Sequence, residues 1–282
     1  MSSETARAID CLKQATELNR DDPYLQGCVV MLPDYGQVVM TGDFHGHQRN
    51  FEKLQRFCRL DQTPIRHVML HELIHAEPAN PQEPDMSHRL LLAAVEWKMQ
   101  FPDQVHFLQS NHDLAQLNGN PITKGGRSAL DQFHRGIVQT YGDDAELVLR
   151  AIGEFITSLP LAGKTANRVF LSHAVPDTDQ FDPSLLAQPV GQLDLSRSGP
   201  VHKFVWGRVR SAEQLERLAG LLDVDCFILG HEPQEGGHAL LHDRAIVLAS
   251  DHNHGVFLPF DLKKSQSPAE LARHIRKFVA VP

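Results

Sequence analysis

The chain has 282 residues and a formal net charge of −8 at pH 7. That length can bury a substantial core, and the acidic balance argues against nucleic acid or an anionic membrane surface as the main partner. The four cysteines, Cys11, Cys28, Cys58 and Cys226, are scattered with no CxxC pair, so neither a zinc ribbon nor a dithiol redox motif is indicated, and free thiols in a reducing compartment are expected. The polar N-terminus does not read as a signal peptide, and no apolar run approaches the roughly 18 residues of a membrane span; a cytoplasmic protein is expected. Histidine is the oddity: there are seventeen, several in short Gly- or Asp-containing turns, and histidine is the commonest metal ligand.

Residues 4–20 place Ala8, Cys11, Leu12, Ala15 and Leu18 at helical spacing, which predicts an amphipathic helix. Asp21-Asp22-Pro23 ends it. Two strands are expected over 27–32 and 37–40, with Pro33-Asp34-Tyr35-Gly36 between them as a hairpin signal. The second strand runs into Gly42-Asp43-Phe44-His45-Gly46-His47. Alternate residues leaving a strand face the same way, so Asp43 and His45 can grip one cation together. A helix over 50–59 follows, with His47 at its start. A strand over 67–70 then runs into His71-Glu72-Leu73-Ile74-His75, ahead of a proline-rich loop over 78–84. A helix over 87–100 precedes a strand over 105–108, which runs into Ser110-Asn111-His112-Asp113. Residues 114–160 read as mostly helical, broken at Gly119-Asn120-Pro121 and at Gly125-Gly126.

A strand over 169–171 ends in Ser172-His173-Ala174, and residues 174–200 read as a surface excursion rich in Pro, Asp and Ser. A helix over 211–222 and a strand over 226–229 lead to Gly230-His231-Glu232. A strand over 245–249 leads to Ser250-Asp251-His252-Asn253-His254-Gly255. A closing strand over 256–258 and a final helix over 268–279 complete the chain. With no repeat or clean linker, the pattern predicts one α/β domain over 26–262, a helical appendage over 1–25, and a C-terminal helix over 263–282 packed on the domain.

Five strand ends therefore carry Asp43 and His45, Glu72, Asn111 with His112 and Asp113, His173, and His231. Singly, Asp43 or Asn111 reads as a turn residue, and His173 or His231 as a core histidine. In series, at the strand ends where α/β sheets gather their sites, they read as a metal centre. The mix of carboxylate, imidazole and carboxamide suits Mn, Fe or Zn rather than Ca or a thiolate site.

The ordered motifs GDFHG, SNHD, LSHA and LGHE resemble the calcineurin-like metallophosphoesterases, and within them the phosphoprotein phosphatase branch. Phe155-Ile156-Thr157-Ser158-Leu159-Pro160-Leu161-Ala162 and the Trp206-Gly207-Arg208 element are similar to that branch as well. The resemblance spans roughly residues 36–258. It implies a sandwich of two mixed β-sheets flanked by helices, and two divalent or trivalent ions. It also implies that Asp43 and His45 bind the first metal, that Glu72 stands for the bridging aspartate, and that Asn111, His173 and His231 bind the second. His112 is implied as the general acid, oriented by Asp113, and Arg208 as the residue that holds phosphoryl oxygens, with Arg210 as its substitute. His252 and His254 would lie near the site, His254 within reach of substrate.

The second motif departs from the family pattern GDxxDRG. Here the chain has His71-Glu72-Leu73-Ile74-His75-Ala76-Glu77. His75 replaces an aspartate, and Ala76 replaces an arginine that grips phosphate. His71 could ligate instead of Glu72, or His75 could join the site; Arg89 or Arg127 could replace the missing cation. The expected activity is metal-dependent hydrolysis of phosphate monoesters, protein phosphoserine or phosphothreonine first. A nucleotide or small phosphometabolite is the enzymatic alternative. A weakly active or inactive protein that binds metal and a phosphorylated partner is the non-enzymatic one. No membrane and no nucleic-acid surface is expected.

Overall fold

A computed structural model of the protein describes residues 1–77, 80 and 82–282. The elements begin with α1 (Ser3–Arg20), β1 (Leu25–Gln26), β2 (Val29–Met31), β3 (Gln37–Thr41), α2 (Gln48–Cys58), β4 (Arg66–Leu70), α3 (His88–Gln100), β5 (Val105–Phe107) and α4 (Asn111–Asn118). They continue with β6 (Thr123–Lys124), β7 (Arg127–Ser128), α5 (Ala129–Tyr141), α6 (Ala145–Ile156), β8 (Ala162–Lys164) and β9 (Val169–Ser172). The last are α7 (Pro200–Val205), α8 (Ala212–Leu222), β10 (Cys226–Leu229), β11 (His238–Leu241), β12 (Ala245–Leu248), β13 (Val256–Asp261), α9 (Pro268–Ala272) and β14 (Arg276–Lys277).

One sheet has the order β14-β13-β3-β4-β5 and the other β1-β2-β8-β9-β10-β12-β11. Strand periodicity sorts the core into layers. Val38, Met40 and Met69 meet Val169, Leu171, Cys226, Ile228, Ile246 and Leu248 between the sheets. The alternate residues Val39, Val68 and Leu70 face a helical layer that includes α1, α3, α5 and α6. Phe170, Phe227, Leu229 and Val247 face α7 and α8 on the other side. The result is two mixed sheets flanked by helices. Among the described residues no helix is long and apolar enough to cross a membrane, and all four cysteines are free and buried.

Strands that run in parallel end level. Met40 pairs with Met69, so the loops leaving β3 and β4 lie side by side. Leu171 pairs with Ile228, which does the same for the loops leaving β9 and β10. A single bridge between Asp43 and Ala249 ties the two sheets together at this end.

Three expectations change. β2 and β3 do not form a hairpin, because β2 pairs with β1 and β8 while β3 pairs with β13 and β4. Val30 and Val38 belong to the same inter-sheet core, so the segment between them crosses from one sheet to the other. The C-terminal helix is only Pro268–Ala272, and the chain then forms β14 and a short 3-10 turn, Phe278–Ala280. Leu271 packs between the sheets while Phe278 packs with Phe44 and Phe257 under the helical layer; one straight helix cannot serve both cores. Finally, Ala8, Leu12 and Ala15 of α1 are part of the main helical-layer core, so the appendage is integral to the domain. Of the proline-rich loop expected over 78–84, Pro78, Ala79 and Pro81 lie outside the described residues.

Candidate metal centre

The loops after β3 and β4 are stitched together by backbone hydrogen bonds. The N–H groups of Phe44 and His45 both donate to the Glu72 carbonyl (3.0 and 2.8 Å), and that of Gly46 donates to Leu73 (2.9 Å). This brings the 43–45 turn against Glu72. His45, Glu72, His75 and His231 all have positive φ, between 43° and 66°. Left-handed backbone is costly for such side chains and gathers at functional sites. Gly230 is required for a steric reason instead. A Cβ there would overlap Asp43 Oδ1 and the His71 ring, so only glycine lets β10 end this close to the carboxylate.

Glu72 is 1% exposed, and among the described residues neither carboxylate oxygen has a hydrogen-bond partner. Its Oε1 lies 3.8 Å from His45 Nε2 and 3.6 Å from His112 Nε2, and its Oε2 lies 3.5 Å from His173 Nε2. The His45 Nδ1–H donates to the Ile74 carbonyl (3.1 Å), which leaves Nε2 as the lone-pair atom facing Glu72. His173 Nε2 is 2.7 Å from Asn111 Oδ1 and 3.1 Å from His231 Nδ1. Its Nδ1–H lies toward His71 Nδ1 (3.2 Å) and Asp43 Oδ1 (3.4 Å). Carboxylate, carboxamide and imidazole ligand atoms from Glu72, Asn111, His173 and His231 thus converge, and among the described residues none donates to the Glu72 oxygens. Lone pairs packed this way call for a cation. Burial holds the imidazoles of His45 and His231 down to about 3, and it lowers that of His173, so all three are neutral and able to ligate at pH 7. Burial, with the charges of Asp43 and Asp113, pushes the Glu72 carboxyl up, the mark of a buried acid lacking a counter-ion.

Asp43 is arranged differently from the expectation. Its carboxylate accepts the backbone N–H of His231 (2.9 Å) and lies 3.2 Å from His71 Nδ1. Potential ligand atoms therefore fall into two groups, Asp43 with His71 and His173, and His45 with Glu72 and His112, each within 4.8 Å. Asp43 and His45 fall in separate groups because an imidazole stands at 71, where the family pattern has glycine. The His71 ring donates its Nε2–H to the Thr41 carbonyl (2.9 Å), which leaves its Nδ1 lone pair beside the Asp43 carboxylate as a second potential ligand.

His112 opens α4 and faces Glu72, but Asp113 does not orient it. The Asp113 carboxylate closes a capping box, accepting the Ser110 hydroxyl (2.6 Å) and backbone N–H (3.2 Å); these bonds satisfy free donors at a helix start. The His112 partner is His75, at 2.9 Å between the Nδ1 atoms. His75 in turn donates from Nε2 to Gln116 Oε1 (2.9 Å). A neutral His75, held down to about 4 by burial, accepts the His112 Nδ1–H and leaves His112 Nε2 toward the cavity.

The cavity over this cluster measures about 300 Å³ and is lined by Asp43, His45, Glu72, Asn111, His112 and His231 together with Lys124, Trp206, Arg208, Glu232 and Asp251. Arg208 is placed by its neighbours: the Gln214 side chain donates to its carbonyl (3.0 Å), and the Val209 N–H donates to Glu232 Oε1 (3.0 Å). Arg210 and His254 do not line the cavity. Arg210 is exposed and uses its N–H on Gln214, and His254 is exposed with its N–H on His252 Nδ1 (3.1 Å). Sequence reasoning passed over Lys124 and Asp251. A Gly-Gly step flanked by Lys124 and Arg127 is a hairpin signal, and it was available to be read.

No family model matches the sequence, and no curated protein matches it. Solved structures do. A protein serine/threonine phosphatase from Saccharomyces cerevisiae with similarity to human phosphatase PP5 is similar over 90% of this chain and 82% of its own, with a TM-score of 0.70 and 14% identity. A cold-active protein-tyrosine phosphatase of a psychrophile, Shewanella sp., is similar over 93% of this chain and 84% of its own, with a TM-score of 0.60 and 16% identity. At such identities the likeness is one of fold, and the chain shares the fold of these two phosphatases.

Proposed function

We propose that the protein is a metal-dependent phosphoesterase that hydrolyses phosphate monoesters, with protein phosphoserine or phosphothreonine as the first substrate class. The observation that carries this reading is the convergence of lone pairs from Asn111, His173, His231 and the partnerless Glu72 carboxylate. Asp43, Asn111, His173 and His231 would hold one ion, and His45 and Glu72 the other; Mn, Fe or Zn suits these donors. Such a pair of ions supplies an activated water and neutralises phosphoryl charge. His112, with its Nδ1–H held by His75, would protonate the leaving oxygen from Nε2 after taking up a second proton there against the burial that disfavours it, and Arg208 orients phosphoryl oxygens from the cavity wall. The two phosphatases of similar fold support this chemistry.

Protein purified without chelator and supplemented with Mn is expected to carry two equivalents of metal and to hydrolyse p-nitrophenyl phosphate. Phosphopeptides and small phosphometabolites then separate the two substrate classes. Metal without turnover on any monoester would instead support a binding protein for a phosphorylated partner, a reading favoured by Ala76 and His75 in the second motif.

A further inference from the structure

The β6–β7 hairpin pairs Thr123 with Ser128 and Lys124 with Arg127. Gly125 and Gly126 turn it, with φ of +57° and +76°, a backbone that side chains resist. A Cβ on Gly125 would overlap the Glu77 carboxylate, so the turn is seated on the segment that follows β4. Ala76, Glu77, Lys124 and Gly125 line one small cavity of about 40 Å³ there. Lys124 also lines the main cavity beside Asp43, Glu72, His112 and Arg208. It is half-buried, and among the described residues its ammonium has no hydrogen bond and no ion pair. Asp251, Glu72 and Asp43 share the main cavity with it and Glu77 the small one, and their charges oppose the loss of its own that burial favours. A cation set among acids but bound to none of them is available for an anionic ligand. Neither Arg127, which lines only the small cavity, nor Arg89, which lines a separate one of about 500 Å³, reaches the main cavity.

We propose that Lys124 binds a phosphoryl oxygen of the substrate and takes the place of the arginine absent at position 76. This rests on the phosphoesterase reading above. Phosphate would then be held by two cations from separate segments, Arg208 and Lys124. A lysine on a hairpin offers a point charge rather than a planar fork, so it supplies attraction with little angular selection.

The test uses the Mn-loaded protein and its Lys124→Ala and Lys124→Arg variants, with inorganic phosphate titrated by calorimetry alongside p-nitrophenyl phosphate kinetics. Lys124→Ala is expected to weaken phosphate binding roughly 10- to 100-fold and to raise KM more than it lowers kcat, because the contact is made before and during reaction. Lys124→Arg is expected to restore most of the affinity, and all three proteins to hold equal metal. Unchanged phosphate binding in Lys124→Ala overturns the proposal while leaving the enzyme reading intact. Loss of metal in Lys124→Ala overturns it too, by showing that Lys124 serves only the carboxylates. A wild-type protein that neither binds phosphate nor turns over overturns both.

Discussion

Replacing Glu72 by glutamine should change stability with opposite signs in the two metal states. Without metal, both Glu72 oxygens face lone pairs on His45 and His173 at 3.5–3.8 Å and have no donor. An amide in the same volume is neutral at every pH and brings two N–H donors, whereas the buried acid must either stay charged without a donor or take up a proton. A buried group left unsatisfied costs about 1–3 kcal/mol, so metal-stripped Glu72→Gln should melt roughly 2–9 °C above metal-stripped wild type, at about 2–3 °C per kcal/mol for a chain of this size. With metal the order inverts. Saturation at a hundred times Kd stabilises by about 2.7 kcal/mol per ion. On the proposed site the variant would lose its charged ligand, and with it more than the 10- to 100-fold in affinity that removal of an outer-shell partner costs. Thermal melts of both proteins, with chelator and with excess Mn, read the effect. A chelated variant less stable than chelated wild type, or one that keeps the full Mn-induced rise, would refute the reasoning.

His112→Asn should lower kcat by roughly 10²- to 10⁴-fold with metal content unchanged, as measured by elemental analysis beside kinetics. Arg208→Ala should lower kcat/KM roughly 10- to 100-fold, whereas Arg210→Ala should leave it within about twofold, because only Arg208 lines the cavity. At the β5 edge of the five-stranded sheet, buried Asp22 accepts from His106 Nδ1 (2.8 Å) and Lys98 Nζ (3.0 Å). Burial alone would raise its carboxyl, but these partners hold it well below the usual range. A depressed folded value means stability that is present above the unfolded pKa of about 4 and lost as pH falls through the folded one. Asp22→Asn should therefore cost about 3–5 kcal/mol at pH 7, with the deficit shrinking below about pH 4 in urea titrations; a constant deficit would contradict this.

The cluster of candidate ligands was legible because each residue sits where an apolar run meets a polar loop, a local pattern. Which strands share a sheet was not, since the 33–36 segment looks like a hairpin turn yet crosses between sheets, and pairing depends on distant β8 and β13. Asp113 does not orient His112, and Ser110-x-x-Asp113 is itself a capping signature; proximity in sequence suggests a contact that helix geometry does not provide. His254 follows the right strand but turns outward, and a loop's direction is set by its tertiary contacts. The position of Lys124 depends on where Gly125 docks on Glu77, which no local pattern encodes.

The donors come from both sheets. His45, Glu72 and Asn111 follow strands of the five-stranded sheet, while His173 and His231 follow strands of the seven-stranded one. Either half alone presents an incomplete set, and so does a chain whose two faces have not yet met. If the proposed site takes metal, its tight capture is thereby coupled to completion of the sandwich, and a chain whose two sheets have not met would compete poorly for it.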